Sequence, residues 1–449
     1  MLGVTDQGLF SDHRMLCVDL VKPKHSTGQS HELVPDWSKA DLDQIAVNLS
    51  AIDWVKELEG KDTIASWDFL KNAIDKETEK CVPKKRRRTG CKPLWMTRNV
   101  MRLIRKKRRA WRWYTTSSYC SKDHEEFEAS RKVQAQVKKA VRLAKRNFER
   151  KLAMDAKRNS KVFYGYMKKK TGNKVTVGPL KEDGKLLTDD KQMADQLNNF
   201  FCSVFTKEDT DHIPVAENLV GDRDTLEDIS ITEEKVKEKL RNLRPDSAPG
   251  PDKLWPRILQ SLSSSIAQPL AMVYTKSLGE GTVPPDWKLA NVAPVFKKGS
   301  KSNTGNYRPV SLTCVLCKVM ESILRDEIVS HLNKYNLIRT SQHGFMAGRS
   351  CLTNLLEYLE KLTSLVDQGH AVDIVYLDFA KAFDKVPHQR LLAKCEGLGV
   401  RGKVLGWIAE WLKDRKQRVV LNGSSSEWGE VVSGVPQESV LGPTRVAKR

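Results

Sequence analysis

All of the surplus charge in this 449-residue chain sits in one stretch, and that confines where a core can form. Residues 84–170 carry 30 Lys+Arg against 6 Asp+Glu, while the remaining residues carry 47 against 50. The net +21 is therefore a property of one segment rather than of the whole molecule. Within it, "KKRRR" (Lys84, Lys85, Arg86, Arg87, Arg88) opens the run, and "RLIRKKRRAWRWY" sets Arg105, Lys106, Lys107, Arg108 and Arg109 beside Trp111 and Trp113. From Arg131 onward, Val133, Val137, Val141, Ala144, Phe148 and Leu152 recur at steps of three or four. That spacing predicts one long helix with a single apolar stripe and basic faces elsewhere. Such a face can simply be solvated. With aromatic rings interleaved, the surplus favours a polyanion, because cations gain affinity by releasing counterions and rings stack on unpaired bases. "KKRRR" also has the composition of a nuclear import signal.

The other segments read as ordinary globular sequence. Apolar residues make up 39% and charged residues 30% of the chain, enough for a sizeable core in two or three domains. No apolar run approaches the roughly 18 residues of a membrane span. The opening "MLGVTDQGLFSDH" lacks the basic start and apolar centre of a secretory leader. Nine scattered cysteines form no disulfide framework, which points to a reducing compartment, nucleus or cytoplasm. The lone C-x-x-C of Cys314 and Cys317 has no second ligand pair for zinc and reads as buried helix cysteines.

Three regions are expected: 1–20, a basic and largely helical 21–230, and 231–449. Loop-like sequence after residue 171 leads to a short helix in "QMADQLNNFFCSVF". Past Ser230 the pattern becomes that of a compact α+β domain. Thr232 supplies an N-cap, with Lys235 where a full capping box would have Glu. Leu352, Leu355, Leu356, Leu359 and Leu362 predict a helix facing a core. "QRVVLNGSSSEWGEVV" predicts a hairpin turning at Asn422 and Gly423. In "AVDIVYLDFAKAFDKVPH", residues 372–378 read as a strand buried on both faces. Asp378 near its end would then be costly unless it were paired or held a metal.

Six blocks in order carry a resemblance. They are "APGPDKLWPRIL", "VPPDWKLANVAPVFKKG", "NYRPVSLTCVLCKVMESIL", "SQHGFMAGRSCLTNLL", "VYLDFAKAFDKVPH" and "SGVPQESVLGP". Over roughly residues 245–443 the series resembles the reverse transcriptase domain of LINE-type, non-LTR retrotransposons, the jockey-like group in particular. "SDHRMLCVDL", with Asp12 and His13, is similar to the closing strand of the endonuclease that precedes that domain in such elements.

The resemblance implies a right-hand polymerase, here the fingers and a partial palm with the thumb absent. It also implies two Mg²⁺ ions that join a primer 3′-oxygen to an incoming nucleotide, with an RNA template and a DNA primer as partners. Mg²⁺ prefers carboxylate and carbonyl oxygens, so Asp378 and the Phe379 carbonyl are the implied ligands. Phe383 matches the aromatic that excludes a sugar 2′-hydroxyl. Arg308 matches the arginine that grips the triphosphate, with Lys297 or Lys298 assisting. Gln437 matches the residue beside the incoming nucleotide, and Asp384 reads as a turn-stabilising group. The sequence departs from the family's G-V-P-Q-G-S at Glu438, where a side chain replaces a permissive glycine and is expected to weaken nucleotide binding. The family's adjacent aspartates are also missing after "VLGP". Asp189 and Asp190 stand in a polar context far upstream and are no substitute. Two of three catalytic aspartates are therefore absent, and the expectation is a chain that binds but does not polymerise. The alternative is a non-catalytic nucleic-acid binder acting through 84–170.

Overall fold

A computed structural model describes residues 33–442 except 87–92, 117–124, 158–159, 171–176, 183, 216 and 222–224. Arg87, Arg88, Asp12 and His13 lie outside the described residues. In chain order the elements are β1 (Leu33–Pro35), α1 (Leu42–Ser50), α2 (Trp54–Leu58), α3 (Thr63–Cys81), β2 (Lys84–Arg86), α4 (Arg98–Thr116), α5 (Glu125–Met154) and α6 (Ser160–Lys170). Next come β3 (Leu180–Glu182), β4 (Lys185–Leu187), α7 (Asp190–Ser203), α8 (Glu233–Arg241), α9 (Pro256–Ser261), α10 (Ser263–Glu280), β5 (Leu289–Phe296) and β6 (Tyr307–Thr313). The last are α11 (Val315–Lys334), α12 (Cys351–Asp367), α13 (His388–Gly397), α14 (Gly402–Leu412), β7 (Arg415–Leu421), β8 (Ser424–Ser425) and β9 (Gly429–Val431). The mixture agrees with the expected α+β class. Among the described residues no helix is long and apolar enough to cross a membrane.

Two compact units result, one holding Val82–Lys151 with the residues before Ala40, the other Ala40–Cys81 with Leu152 onward. In the first, β1 and β2 pair antiparallel, Val34 opposite Lys85, and the Lys85 ammonium meets Asp36 at 2.8 Å. The long basic helix is present as α5, and Val133, Val137, Val141, Ala144 and Phe148 lie on its less exposed face, as the spacing predicted. Tyr114 of α4 contacts Phe127 of α5 with ring centroids 5.4 Å apart.

In the second unit a five-stranded sheet runs β6-β5-β7-β8, with β9 also on β7. Strands β5 and β6 form an antiparallel hairpin, whereas β5 and β7 are parallel. The β7–β8 turn has left-handed backbone at Asn422 (φ 51°) and Gly423 (φ 98°), the pair that a two-residue hairpin turn favours. Helix α7 covers one face of the sheet: Met193, Leu197 and Phe201 pack with Val292, Tyr307 and Val419. Asp189 caps α7, accepting from the Gln192 N–H at 3.0 Å, so the Asp-Asp pair has a local structural role. Thr232 likewise caps α8 through the Lys235 N–H at 3.3 Å.

A second core gathers the bulkiest side chains. Trp67, Trp287, Tyr274, Trp407 and Trp411 are each under 2% exposed, and the Trp67 and Trp287 rings meet edge-on at 5.2 Å. Two of the polar tips that reach into this core find partners, while the Trp287 Nε1 has none among the described residues. Tyr274 donates to the Leu316 carbonyl at 2.7 Å and Trp407 Nε1 to Ser277 Oγ at 2.9 Å. Cys314 and Cys317 are fully buried at and inside the start of α11, as read from the sequence.

Two expectations fail together. Residues 371–379 form no strand, and Val375, Tyr376 and Leu377 are 79%, 79% and 90% exposed. Helix α12 forms where predicted but faces no core: Leu352, Leu355, Leu356 and Leu359 are 42–63% exposed. The physical reason is shared. Strand preference expresses a fit to a pleated surface with paired neighbours, and no described strand pairs with 372–378. Without that strand, the leucines of α12 have nothing to pack on.

Candidate nucleotide site

The β5–β6 hairpin explains how two cations come to one face. Val295 pairs with Arg308 across the ladder, and Lys297 lies two residues beyond Val295, on the same side of the strand. The Lys297 N–H donates to the Asn306 carbonyl at 2.8 Å, which extends the pairing to its position. Both side chains border a cavity of about 380 Å³.

The opposite wall is built by two chain segments locked together through their backbones. The Gly434 N–H donates to the Val386 carbonyl and the Val435 N–H to the Phe383 carbonyl, both at 2.8 Å. Ser433 Oγ donates to the Asp384 carbonyl at 2.7 Å and accepts from the Thr206 N–H at 2.8 Å. Gly434 is required at this crossing: its φ is +81°, and a Cβ there would stand 2.5 Å from the Phe383 oxygen. The Ser311 N–H on β6 donates to the Gln437 carbonyl at 3.1 Å, which ties this wall to the strand that carries Arg308.

Lys297, Arg308, Phe383 and Gln437 thus line one cavity, although they come from separate stretches of chain. Lys298 is not among the lining residues. Sequence reasoning gave no binding role to three other groups on the wall. Lys381 has its ammonium 4.4 Å from the centre of the Phe200 ring on α7, and burial pushes its pKa down. Asp384 accepts from the Gln437 side-chain amide at 3.0 Å; burial pushes its carboxyl up, against the opposing effects of Gln437 and Lys381. Arg415 is 2% exposed, donates to the Trp411 carbonyl at 3.0 Å and rests on the Trp411 ring. Lys381 and Asp384 fall inside the block that holds Phe383, and their charge next to an aromatic was the available signal. Nothing local marks Arg415.

Asp378 and Phe379 are not brought to this cavity. Both are exposed on the irregular segment after α12, so no burial cost has to be offset by a metal. Among the described residues no group of three or more His, Cys, Asp or Glu side chains is arranged to hold a metal ion. The described donors therefore do not fit a two-Mg²⁺ centre, and Asp378 with the Phe379 carbonyl is a single exposed ligand pair. Glu438 has left-handed backbone, φ +71°, which is why a glycine would suit the position; the residue is exposed and does not line the cavity.

The family described as "Reverse transcriptase (RNA-dependent DNA polymerase)" matches residues 296–448, a span containing every cavity cation and both locked segments. The matched span is similar to the reverse transcriptase domain of LINE-type retrotransposons. It is 31% identical over 217 residues to the RNA-directed DNA polymerase from mobile element jockey of Drosophila melanogaster, covering 48% of this chain and 24% of that protein. It is 28% identical over 211 residues to the probable RNA-directed DNA polymerase from transposon BS of the same species, covering 47% and 23%. For the probable polymerase from transposon X-element of that species, the figures are 28% over 199 residues, 44% and 22%. The chain thus spans about a quarter of the length of the curated relatives it matches.

Elsewhere in the chain, the other predicted binding residues stand on the first unit. Lys84 and Lys85 are exposed on β2, which also contains Arg86. On α4, Arg105, Lys106, Arg108 and Arg109 are exposed, Lys107 is half-buried, and Trp111 and Trp113 are 50% and 54% exposed.

Proposed function

We propose that the cavity receives an incoming deoxynucleoside triphosphate for RNA-directed DNA synthesis. Lys297 and Arg308 face the phosphates, Arg308 through its planar fork of donors. Phe383 borders the sugar. The observation that carries this reading is the meeting of four motif residues at one cavity large enough for part of a nucleotide. Nucleotidyl transfer in this family generally uses divalent metal. Asp378 belongs to no group of three or more ligating side chains among the described residues, so we propose that those residues bind nucleotide without supplying a complete catalytic centre. Titrating the chain with a fluorescently labelled dATP tests the assignment. Arg308→Ala weakens binding roughly tenfold or more, because a charge-assisted bond contributes about 1.5–3 kcal/mol. Equal affinity for Arg308→Ala and the parent chain would remove the reading.

A second reading rests on a separate observation, the exposed Trp111 and Trp113 among the cations of α4. These residues, with Lys84, Lys85 and Arg86, hold an RNA template or DNA primer by phosphate contact and ring stacking. Such partners place the chain in the nucleus, the cytoplasm or both. The affinity of the full chain for a single-stranded oligonucleotide falls steeply with added salt, and replacing Arg105, Lys106, Arg108 and Arg109 by Ala flattens the slope by roughly three units. A slope unchanged by those substitutions would move the binding elsewhere.

A further inference from the structure

The contact between Asp384 and Gln437 has a chemical direction. Gln437 Nε2 stands 3.0 Å from Asp384 Oδ1 and 3.3 Å from Oδ2, so both carboxylate oxygens face one amide nitrogen. An ionised carboxylate only accepts hydrogen bonds, whereas an amide has a donating and an accepting end. The amide therefore has to turn its NH₂ toward Asp384, and its oxygen is left for something else. The carboxylate itself is held in place: Asp384 donates its N–H to the Lys381 carbonyl at 3.0 Å, and its own carbonyl accepts from Ser433 Oγ. On the other side, the Gln437 carbonyl is fixed to β6 by the Ser311 N–H. Both ends of the pair are thus set by backbone bonds before any ligand arrives.

We infer that Asp384 is a positioning residue: its carboxylate fixes the orientation of the Gln437 amide, so that Oε1 is offered to the nucleotide as a hydrogen-bond acceptor. This inference rests on the nucleotide reading of the cavity and narrows it. Phosphate oxygens have no proton to give to an acceptor, so Oε1 cannot serve the triphosphate. It serves a hydroxyl of the sugar or an N–H of the base. The cavity then has two chemically distinct ends. Cations Lys297 and Arg308 suit the phosphates, and the Asp384–Gln437 pair suits the nucleoside. Beside the turn-stabilising role expected for Asp384, its carboxylate then acts through another side chain.

A double-mutant cycle on the full chain, read by binding of fluorescently labelled dATP, tests the inference. Asp384→Ala and Gln437→Ala each weaken binding roughly fivefold to tenfold, the range for one neutral hydrogen bond. The double variant is no weaker than Gln437→Ala, because Asp384 acts only through that amide. Asp384→Asn, whose oxygen still accepts from Nε2, stays within about threefold of the parent. Losses that multiply in the double variant, or an Asp384→Ala chain that binds like the parent, overturn the inference. If the parent chain shows no saturable binding, the nucleotide reading fails by itself, and a second measurement still decides the orientation. The side-chain amide NMR pair that disappears in Gln437→Ala is expected to shift in Asp384→Ala, and an unshifted pair overturns the role of Asp384.

Discussion

Replacing Gly434 by alanine tests whether the crossing of the two wall segments is as tight as described. Two effects add. The backbone at Gly434 has φ +81°, which costs a residue with a Cβ about 1–2 kcal/mol. The new carbon would also lie 2.5 Å from the Phe383 oxygen, 2.7 Å from the Asp384 oxygen and 2.8 Å from the Asp384 carbonyl carbon, all backbone atoms. Relieving that overlap pushes the segments apart and lengthens the Gly434–Val386 and Val435–Phe383 hydrogen bonds, each contributing about 1 kcal/mol. Reduced freedom in the unfolded chain returns about 0.4–1 kcal/mol. The net loss is about 2–4 kcal/mol, read from urea unfolding followed by the fluorescence of the buried tryptophans. Gly423→Ala separates the two effects. Its φ is +98°, yet a Cβ there would have no atom within 4 Å, so it carries the torsional loss alone. If Gly434→Ala and Gly423→Ala lose the same stability, the close approach contributes nothing and the account of this wall is wrong.

Other substitutions report on the second unit. Leu270→Ala, at a fully buried position on α10, loses about 2–5 kcal/mol, whereas Leu355→Ala on the exposed face of α12 loses less than about 1 kcal/mol in the same urea experiment; similar losses would mean that α12 is packed in solution. Glu438→Gly relieves a left-handed residue and raises stability by up to about 1 kcal/mol. By relaxing the turn beside Gln437 it also tightens labelled-dATP binding roughly twofold, and unchanged affinity refutes that link. Burial pushes the Asp252 carboxyl above its ordinary value of 3.8, with the charge of Lys71 among the opposing effects. Between 3.8 and the raised value, the folded chain keeps a proton that the unfolded chain has lost, so this residue's contribution falls as pH rises through that window. Urea midpoints of Asp252→Asn should decline less across it than those of the parent.

Local chemistry was what the sequence made readable. The Asn422-Gly423 turn, the Thr232 cap and the stripe on α5 each depend on residues within a few positions of one another, and all are present. Lys297, Arg308, Phe383 and Gln437 were recognisable through the blocks that contain them, and the hairpin and the crossing at Gly434 bring them together. The strand at 372–378 failed because its evidence was intrinsic preference, and a strand exists only with a partner. Helix α12 shows the same limit in another form: periodicity reveals that a helix has an apolar face without saying what covers it. The Asp384–Gln437 contact joins residues far apart in sequence, so no local pattern announces it.

The order in which the sheet is laid down sets a schedule for synthesis. Strand β5 is central, yet its parallel neighbour β7 begins at Arg415, long after β5 ends at Phe296. At about 5–20 residues per second, a ribosome needs on the order of ten seconds to deliver the intervening chain. Through that interval the edge of β5 that β7 later covers stays open, a template for unwanted pairing with neighbouring nascent chains. The lining residues Arg415, Lys416 and Gln417 arrive with β7, so the cavity takes shape only as that edge closes. Slowing translation between Phe296 and Arg415 should therefore reduce the soluble yield while leaving the stability of the finished chain unchanged.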